Sequence, residues 1–204
     1  MLITSRVEDG RDLSMLVWPL PEPAIVASTA ACGGGLGERR WIINAQVPHD
    51  YRRRDQQQHG AELAAVAGVT PAGGVVMFTA VDVRRVHSRE DGGVAVDATV
   101  GLTLPVWAAA PDVGVAVAPG TINVVARLPV RLSDAALLNA LVTATEAKTQ
   151  ALLEAGVPGT GTASDAVTIV CPRGGPAEPF GGPRSVWGAR LARAVHAAVR
   201  AGVQ

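Results

Sequence analysis

The sequence predicts an α+β protein: a single domain, residues 1–204, in which a mixed or antiparallel sheet packs against helices. Most of the first 130 residues are short apolar runs separated by glycine, proline and charged turns, which is typical of strands. Two long stretches with helix-capping residues follow towards the carboxyl end. Strands followed by helices, without a regular strand–helix alternation, indicate the α+β class.

The predicted strands follow the apolar runs in order. Pro-Glu-Pro at 21–23 separates SMLVWPL (14–20) from AIVASTA (24–30), so these runs are predicted to be two successive strands. WIINAQV (41–47) is predicted as the next strand. Residues 73–83 and 93–104 are predicted to form a hairpin whose polar tip is 87–91. GTINVVARLPV (120–130) and DAVTIVC (165–171) complete the set of predicted strands.

Three helices are predicted. The first covers residues 57–68 and ends at Gly68. The second spans Ser133–Ala155, with Ser133 as N-cap and Gly156 as the stop. The third follows Ser185 and runs to about Ala201, with an apolar stripe. On the wheel of the second helix, the arc predicted to be buried carries Leu138, Leu141, Val142 and Leu152.

Composition excludes several classes of protein. The formal net charge is zero and 48% of the residues are hydrophobic, which argues against a disordered chain and against a nucleic-acid-binding domain. No apolar run approaches the length of a membrane span, and the acidic start does not resemble a signal peptide. The two cysteines, Cys32 and Cys171, form no CxxC pair, so we expect reduced thiols and a cytoplasmic protein.

Two side chains of the second helix are candidates for chemistry. Lys148 lies on one flank of the arc predicted to be buried, and Glu146 on the other flank, about 200° away at 100° per residue. A lysine in this position either lays its stem over apolar surface or is a partly buried cation that orients a substrate. The angle prevents Lys148 and Glu146 from acting as one pair.

The segment from Gly159 to Asp165 has the residue types of a binding loop. It carries three hydroxyl groups, two glycines and one carboxylate directly before a buried strand. Glycines let backbone N–H groups approach an oxyanion, and an aspartate can accept a proton from water. The same residue types are also common in simple turns, where they bond to their own backbone. Both interpretations remain open at this stage.

Two other patterns carry less weight. The glycine run at 33–37 leads into a strand instead of a helix, so a nucleotide loop is not predicted there, although a loop that admits a bulky ligand remains possible. The four histidines have no metal-ligand spacing, and no metal site is predicted. His49 and Arg52 stand in a loop, either on the surface or at the rim of a site.

In combination, the motifs resemble one known family. The blocks keep their order over about residues 24–200, and three of them, GTIN, TEAK and GTGTASD, carry most of the weight. The chain is similar to the adenosylcobinamide amidohydrolases, which act in corrinoid salvage. The blocks that carry the resemblance are Gly33–Gly35, Trp41–Val47, Phe78–Val83, Gly120–Asn123, Thr145–Lys148, Gly159–Val167 and Phe180–Gly188.

The resemblance implies a reaction. An amidase of this family hydrolyses the amide that joins aminopropanol to the corrin ring of adenosylcobinamide, and gives adenosylcobyric acid and 1-amino-2-propanol. The corrinoid is then the small-molecule partner. Cobalt arrives as part of that substrate, so no cofactor and no protein-bound metal are expected. Neither nucleic acid nor membrane is expected as a partner, and a homo-oligomer is possible.

We predict that water attacks the amide directly. Asp165 is the predicted base, with Glu146 as its substitute, and Thr160 or Thr162 holds the oxyanion with nearby N–H groups. Lys148 orients the substrate or protonates the amine. A covalent mechanism through Thr162 competes, because Asp165 follows three residues later. Residues predicted to bind the substrate are Gly33, Gly34, Gly35, Asn44, Thr79, Asp82, Thr121 and Asn123.

Two non-enzymatic alternatives remain. In the first alternative, the chain is a corrinoid-binding module that does not cleave its ligand. In the second, it is a structural subunit in which the Gly/Thr loops are only turns. Release of aminopropanol from adenosylcobinamide separates the enzyme from both.

Overall fold

One mixed sheet organises the protein. The computed structural model describes residues 1–111 and 120–203, and within them it contains eight strands and three helices, which confirms the α+β class. The strands are β1 (Leu2–Glu8), β2 (Arg11–Ser28), β3 (Gly35–Gln46), β4 (Gly74–Thr79), β5 (His87–Asp91), β6 (Val94–Val100), β7 (Ile122–Arg127) and β8 (Ala166–Cys171). The helices are α1 (Gln56–Val66), α2 (Asp134–Glu154) and α3 (Val186–Val203).

The strand order is β4-β3-β2-β8-β7-β6-β5, and β1 pairs with the first half of β2. The pairs β3–β4 and β7–β8 are parallel, and the other pairs are antiparallel. Because β2 is long, it has different partners along its length. Its first part pairs with β1 and β3, and its last part pairs with β3 and β8. This strand therefore connects the two halves of the sheet.

The sheet curls so strongly that distant strands touch. The Trp18 indole of β2 donates to Asp97 of β6 at 2.9 Å, and Asn123 of β7 donates to Asn44 of β3 at 2.7 Å. Both pairs of strands are three positions apart in the sheet, which is about 14 Å in a flat sheet. The inside of the curl is filled by an apolar cluster that includes Leu16, Ile42, Met77, Val125 and Val170.

Helices cover the outer surface in two places. Alanine, leucine and valine side chains of α2 and α3 pack on β6, β7 and β8 and form the largest apolar cluster. Leu63 and Ala64 of α1 pack on β2, β3 and β4. Ser133 caps α2 by accepting the Ala136 N–H at 3.2 Å, and Ser185 caps α3 in the same way through Gly188 at 3.1 Å. Both caps are those predicted.

Two strand predictions were wrong. Residues 14–20 and 24–28 belong to the single strand β2, which continues through the prolines at 19, 21 and 23, where its pairing with β3 shifts register. The predicted polar tip at 87–91 is itself the strand β5, which pairs with β6 through a turn at Gly92 and Gly93. Residues 74–79 pair with β3 instead. Strand β1 was not predicted.

The buried face of α2 was predicted only in part. Leu152 is buried as predicted, but Leu138 and Val142 are 51% and 54% exposed, whereas Ala140, Ala144, Ala147 and Ala151 are buried against the sheet. Thr143 is also buried and donates to the Gly181 carbonyl at 3.0 Å. Small residues face the sheet because they let the helix approach it closely.

Candidate active site

A cavity of about 720 Å³ opens where several strands end. Its wall is built by the residues that follow β2, β3 and β4 and by those that precede β7 and β8. Polar side chains from all of these segments face the same space. They are Thr29, His49, Asp50, Tyr51, Arg52, Gln56, Thr79, Thr121, Ser164 and Asp165.

Asp165 and Lys148 form an ion pair at the edge of this cavity. The Lys148 ammonium of α2 lies 2.5 Å from Asp165 Oδ2, and the two side chains are 6% and 12% exposed. Lys148 also donates to the Thr160 carbonyl at 3.0 Å. The structure thus brings the lysine of the helix and the aspartate of the loop into direct contact. Only Asp165 lines the cavity, and the lysine lies behind it.

Four donors surround the Asp165 carboxylate. Oδ1 accepts from the Ile122 N–H at 2.9 Å and from the Thr162 hydroxyl at 2.5 Å. Oδ2 accepts from Lys148 and from the Thr162 N–H at 3.1 Å. A carboxylate offers about four acceptor positions, so all of them are occupied. Asp165 can accept a proton from water only after one donor leaves.

Thr160 does not fit its predicted role as an oxyanion donor. Its N–H donates to the Val106 carbonyl at 2.8 Å, and its hydroxyl accepts from the Ala108 N–H at 2.9 Å. These bonds tie the loop to residues 105–108 and leave the threonine outside the cavity wall. The N–H and hydroxyl of Thr162 are likewise engaged, both with Asp165.

Hydroxyl groups do line the cavity beside Asp165, but they belong to other residues. Thr121 Oγ1 and Ser164 Oγ lie 2.7 Å apart, and Ser164 is 3.3 Å from the Gly120 carbonyl. Thr121 precedes β7 and Ser164 precedes Asp165, so the sheet order places both next to the carboxylate. Thr121 was among the predicted binding residues, and Ser164 was not.

The comparisons with known proteins identify the family of this chain. A sequence model described as adenosylcobinamide amidohydrolase matches residues 2–204. The chain belongs to the adenosylcobinamide amidohydrolase family. An adenosylcobinamide amidohydrolase from Halobacterium salinarum is 37% identical over 183 residues, which cover 85% of this chain and 78% of that protein. One from Methanosarcina mazei is 30% identical over 187 residues, which cover 87% and 90%. The resemblance of the motif blocks is thereby confirmed.

Two asparagines in family-like blocks are buried in the core, away from the cavity wall. Asn44 and Asn123 are 2% and 1% exposed. Asn44 donates to Thr99 at 2.9 Å, and Asn123 donates to Asn44 and to the Phe78 carbonyl. Neither asparagine lines the cavity, so the prediction that they contact the substrate gains no support: their side chains bond across the curl of the sheet, and Asn123 Oδ1 is buried without a hydrogen-bond partner. Thr79 does line the cavity.

The other predicted site residues lie elsewhere. A Cβ atom at Gly33 or Gly34 would overlap the carbonyl of Gly74 or Ala30, so these glycines serve backbone packing, and with Gly35 they lie outside the cavity wall. Asp82 lines a neighbouring cavity of about 360 Å³, which shares His49 and Ala80 with the first, and is paired with Arg84 at 2.8 Å. Glu146 is exposed on the outer face of α2, and this position does not suit a substitute base.

An aromatic group also lies at the cavity wall. Tyr51 and Phe78 line the cavity, and His59 lies directly behind them with 1% exposure. Burial raises the pKa of Tyr51 to about 12, so its phenol stays protonated. Burial lowers the pKa of His59 below its usual 6.5. From the sequence, only His49 and Arg52 were predicted to lie at the rim of a site, because a lone tyrosine has no diagnostic spacing.

No metal-binding cluster of three His, Cys, Asp or Glu residues occurs in residues 1–111 and 120–203. Over the same ranges, no helix combines the length and the apolar character needed to cross a membrane.

Proposed function

We propose that this protein hydrolyses the amide that joins aminopropanol to the corrin ring of adenosylcobinamide. The products are adenosylcobyric acid and 1-amino-2-propanol, and the reaction serves corrinoid salvage. Family membership over residues 2–204 supports this assignment. The observation that carries it is the convergence of three family-like blocks on one cavity, through Phe78 and Thr79, Thr121, and Asp165.

The size of the cavity indicates how the substrate binds. Cavities of 300–1,000 Å³ hold drug-sized ligands, and this one measures about 720 Å³. A corrinoid is much larger than such a ligand. One part of the substrate therefore enters while the corrin ring stays at the opening, and the scissile amide comes to lie near Asp165.

Asp165 is the proposed base for the attacking water. Three of its donors are fixed, because two are backbone N–H groups and the third is the buried Lys148 ammonium. The Thr162 hydroxyl is the donor that can leave by rotation of its side chain. A water that takes its place on Oδ1 hands a proton to Asp165 as it attacks the carbonyl carbon. Asp165 then passes that proton to the amine as the C–N bond breaks.

The remaining roles are assigned by which side chains line the cavity. The Thr121 and Ser164 hydroxyl groups are proposed to hold the oxyanion, because they line the cavity beside Asp165. Lys148 does not line the cavity and is proposed to keep Asp165 charged and oriented, instead of protonating the amine.

The competing covalent route uses the same oxygen of Asp165. In that route the Thr162 hydroxyl gives its proton to Oδ1 and attacks the amide itself. We favour water, because Asp165 lines the cavity and Thr162 does not. Thr162→Ala separates the two routes: it removes the threonine nucleophile and vacates the water position on Oδ1. Retained turnover in Thr162→Ala supports water, and complete loss with normal folding supports the threonine.

The function is tested by incubation with adenosylcobinamide, followed by chromatographic separation of adenosylcobyric acid from the starting amide. Asp165→Asn should lower kcat about 100- to 10,000-fold, the range for loss of a general base. Corrinoid binding, measured by equilibrium dialysis, should persist. Asp12→Asn, an exposed aspartate on β2, is the matched control and should retain activity. Corrinoid binding by the wild-type protein without any product would instead indicate a binding module.

A further inference from the structure

Aromatic residues are rare in this chain, and they are not distributed evenly. The sequence has one tyrosine, two phenylalanines and four tryptophans, and none of the tryptophans lines the cavity described above. The tyrosine and one phenylalanine, Tyr51 and Phe78, line the same cavity. The apolar clusters of the core are built mainly from alanine, valine, leucine and isoleucine. The two rings are therefore concentrated where a ligand is expected.

The rings form one fixed surface. The centroids of Tyr51, Phe78 and His59 are 5.4–5.6 Å apart in all three pairs, and the ring planes are within 15–29° of one another. In a column of three stacked rings, the outer pair would be about twice as far apart as the neighbouring pairs. The equal distances therefore exclude a single column, and the rings pack as a compact triangle of offset, nearly parallel rings.

A buried anchor fixes the orientation of Tyr51. Its hydroxyl lies 2.8 Å from His59 Nδ1, and His59 is almost fully buried. His59 Nε2 is 3.2 Å from Glu8 Oε1, and the Arg6 guanidinium donates to Glu8 at 2.9 Å. The hydroxyl of Tyr51 is thus directed towards the protein interior. What remains for the cavity is the ring of Tyr51, next to the ring of Phe78.

The substrate of this family contains one group that matches such a surface. The adenosyl part carries a purine, whose two faces are planar and free, and bases stack well on aromatic side chains. The corrin ring suits the surface less, because its faces carry the axial cobalt ligands and its rim carries bulky arms. Gln56 and Arg52 line the same cavity and offer hydrogen-bonding groups to the edge of a purine.

We propose that Tyr51 and Phe78 form a subsite that binds the adenine of the substrate's adenosyl group, with His59 and Glu8 as the anchor of Tyr51. This subsite rests on the proposed function for the identity of the substrate. It makes the enzyme selective for adenosylated corrinoids over those with a small upper ligand. Tyr51 and Phe78 contribute to substrate binding and take no part in the chemical step.

The test compares two substrates, adenosylcobinamide and cyanocobinamide, which lacks the adenosyl group. Tyr51→Leu should raise KM for adenosylcobinamide about 5- to 150-fold, the contribution of one base stacked on an aromatic ring. KM for cyanocobinamide and kcat for both substrates should stay within about twofold. Tyr51→Phe keeps the ring and loses only the anchor, so its effect should be smaller. Phe180→Leu, an exposed phenylalanine outside the cavity wall, is the control.

Phe78→Leu provides an independent variant if Tyr51→Leu does not fold, and the same selective rise in KM is expected. Equal effects on both corrinoids, or no effect on either, would overturn the subsite and leave the hydrolase intact. A separate readout is binding of 5′-deoxyadenosine by saturation-transfer NMR. If the wild-type protein binds it in a Tyr51-dependent way but cleaves no corrinoid, the proposed function fails and the subsite stands.

Discussion

At the scale of single residues, Asp165 determines how the site can work. Its carboxylate is held by two backbone N–H groups, one hydroxyl and one ammonium. These bonds hold the carboxylate in one orientation. Proton transfer to Asp165 therefore has to compete with an existing hydrogen bond. In the proposed mechanism, Lys148 acts through Asp165 without touching the substrate.

Replacing Lys148 by Met should destabilise the protein by about 3–5 kcal/mol, the usual result of removing one partner of a buried ion pair. The double variant Lys148→Met/Asp165→Asn should recover part of this loss, because no unpaired charge remains. Urea unfolding measures the free energy of each variant. If the two single effects simply add in the double variant, the pair is not energetically coupled and this interpretation is wrong.

His59 should make the protein less stable in mild acid. Burial is the main reason that its pKa lies below 6.5, and the positive charges of Arg53 and Arg6 act in the same direction, while Glu8 opposes them. Between the folded and the unfolded pKa, the unfolded chain binds more protons than the native protein. The free energy of unfolding should therefore fall as the pH drops below 6.5. Tyr51 stays protonated throughout this range, because its pKa is about 12.

Urea unfolding at several pH values measures this loss. His59→Gln should reduce the slope between pH 7 and pH 5, because glutamine cannot titrate. His49→Gln, at an exposed histidine, should keep the wild-type slope. An unchanged slope in His59→Gln would show that other groups cause the acid sensitivity.

At the scale of elements, the loop between α2 and β8 matters most. Its Gly161 lies against the ion pair, because a Cβ atom there would overlap both Asp165 Oδ2 and Lys148 Nζ. Gly161 also pairs with Val106, whose N–H donates to the Gly161 carbonyl at 2.9 Å. The glycine is needed for space and keeps the backbone close enough for Lys148 to reach both the aspartate and the Thr160 carbonyl.

Gly161→Ala should separate Lys148 from Asp165. We expect a loss of about 1–3 kcal/mol in stability, as in other overpacked sites, together with a clear fall in kcat on adenosylcobinamide. Gly174→Ala is the matched control, because nothing lies within 4 Å of a Cβ atom at that glycine. Urea unfolding and product formation are measured on both variants. Wild-type behaviour of Gly161→Ala would show that the pair tolerates movement of the loop.

Helix α2 shows why an element's sequence pattern can mislead. The wheel placed Leu138 and Val142 inside, but both are about half exposed. The buried face carries five alanines, Leu137, Thr143, Leu152 and Lys148. A pattern analysis that ranks residues by hydrophobicity favours leucine over alanine, whereas close packing of a helix on a sheet favours small side chains. The position of Lys148 near the buried side was nevertheless predicted, from its place on the flank.

At the scale of the whole molecule, the curl of the sheet creates the cavity. Polar contacts cross the curl between strands that are far apart in the sheet, through Asn44, Asn123 and Thr99 and through Trp18 and Asp97. Buried polar groups cost free energy unless they are paired, and here each pairing requires the curled form. Asn123 also holds the Phe78 carbonyl at 3.0 Å, which links this network to the cavity wall.

Asn44→Leu should lower the free energy of unfolding by about 1–3 kcal/mol, because it leaves a buried donor of Asn123 and the Thr99 hydroxyl without this partner. Urea unfolding should show a lower midpoint with an unchanged slope. Asn139→Leu, at an exposed position of α2, is the control and should change stability little. A neutral effect of Asn44→Leu would show that packing alone maintains the curl.

Local signals were sufficient for much of the fold. The caps at Ser133 and Ser185, the helix near 57–68 and the strands at 41–47 and 165–171 all follow from neighbouring residues, because capping and alternation are local effects. The helix wheel placed Lys148 near the buried side and the loop motif singled out Asp165, but the contact between these residues, 17 positions apart, was not predicted. Tyr51 gave no signal of its own, and Phe78 opened a family-like block without being singled out as a site residue.

By itself, the sequence determined the α+β class, the family, the major helices and the block that contains Asp165, because each depends on residue types close together in the chain. Only the tertiary structure decided which polar residues reach the cavity. Asn44 and Asn123 belong to the core, Thr160 fastens a neighbouring segment, and Ser164, Tyr51 and Phe78 line the wall. The physical reason is the curl of the sheet, which brings the ends of distant strands together and is set by contacts far apart in sequence.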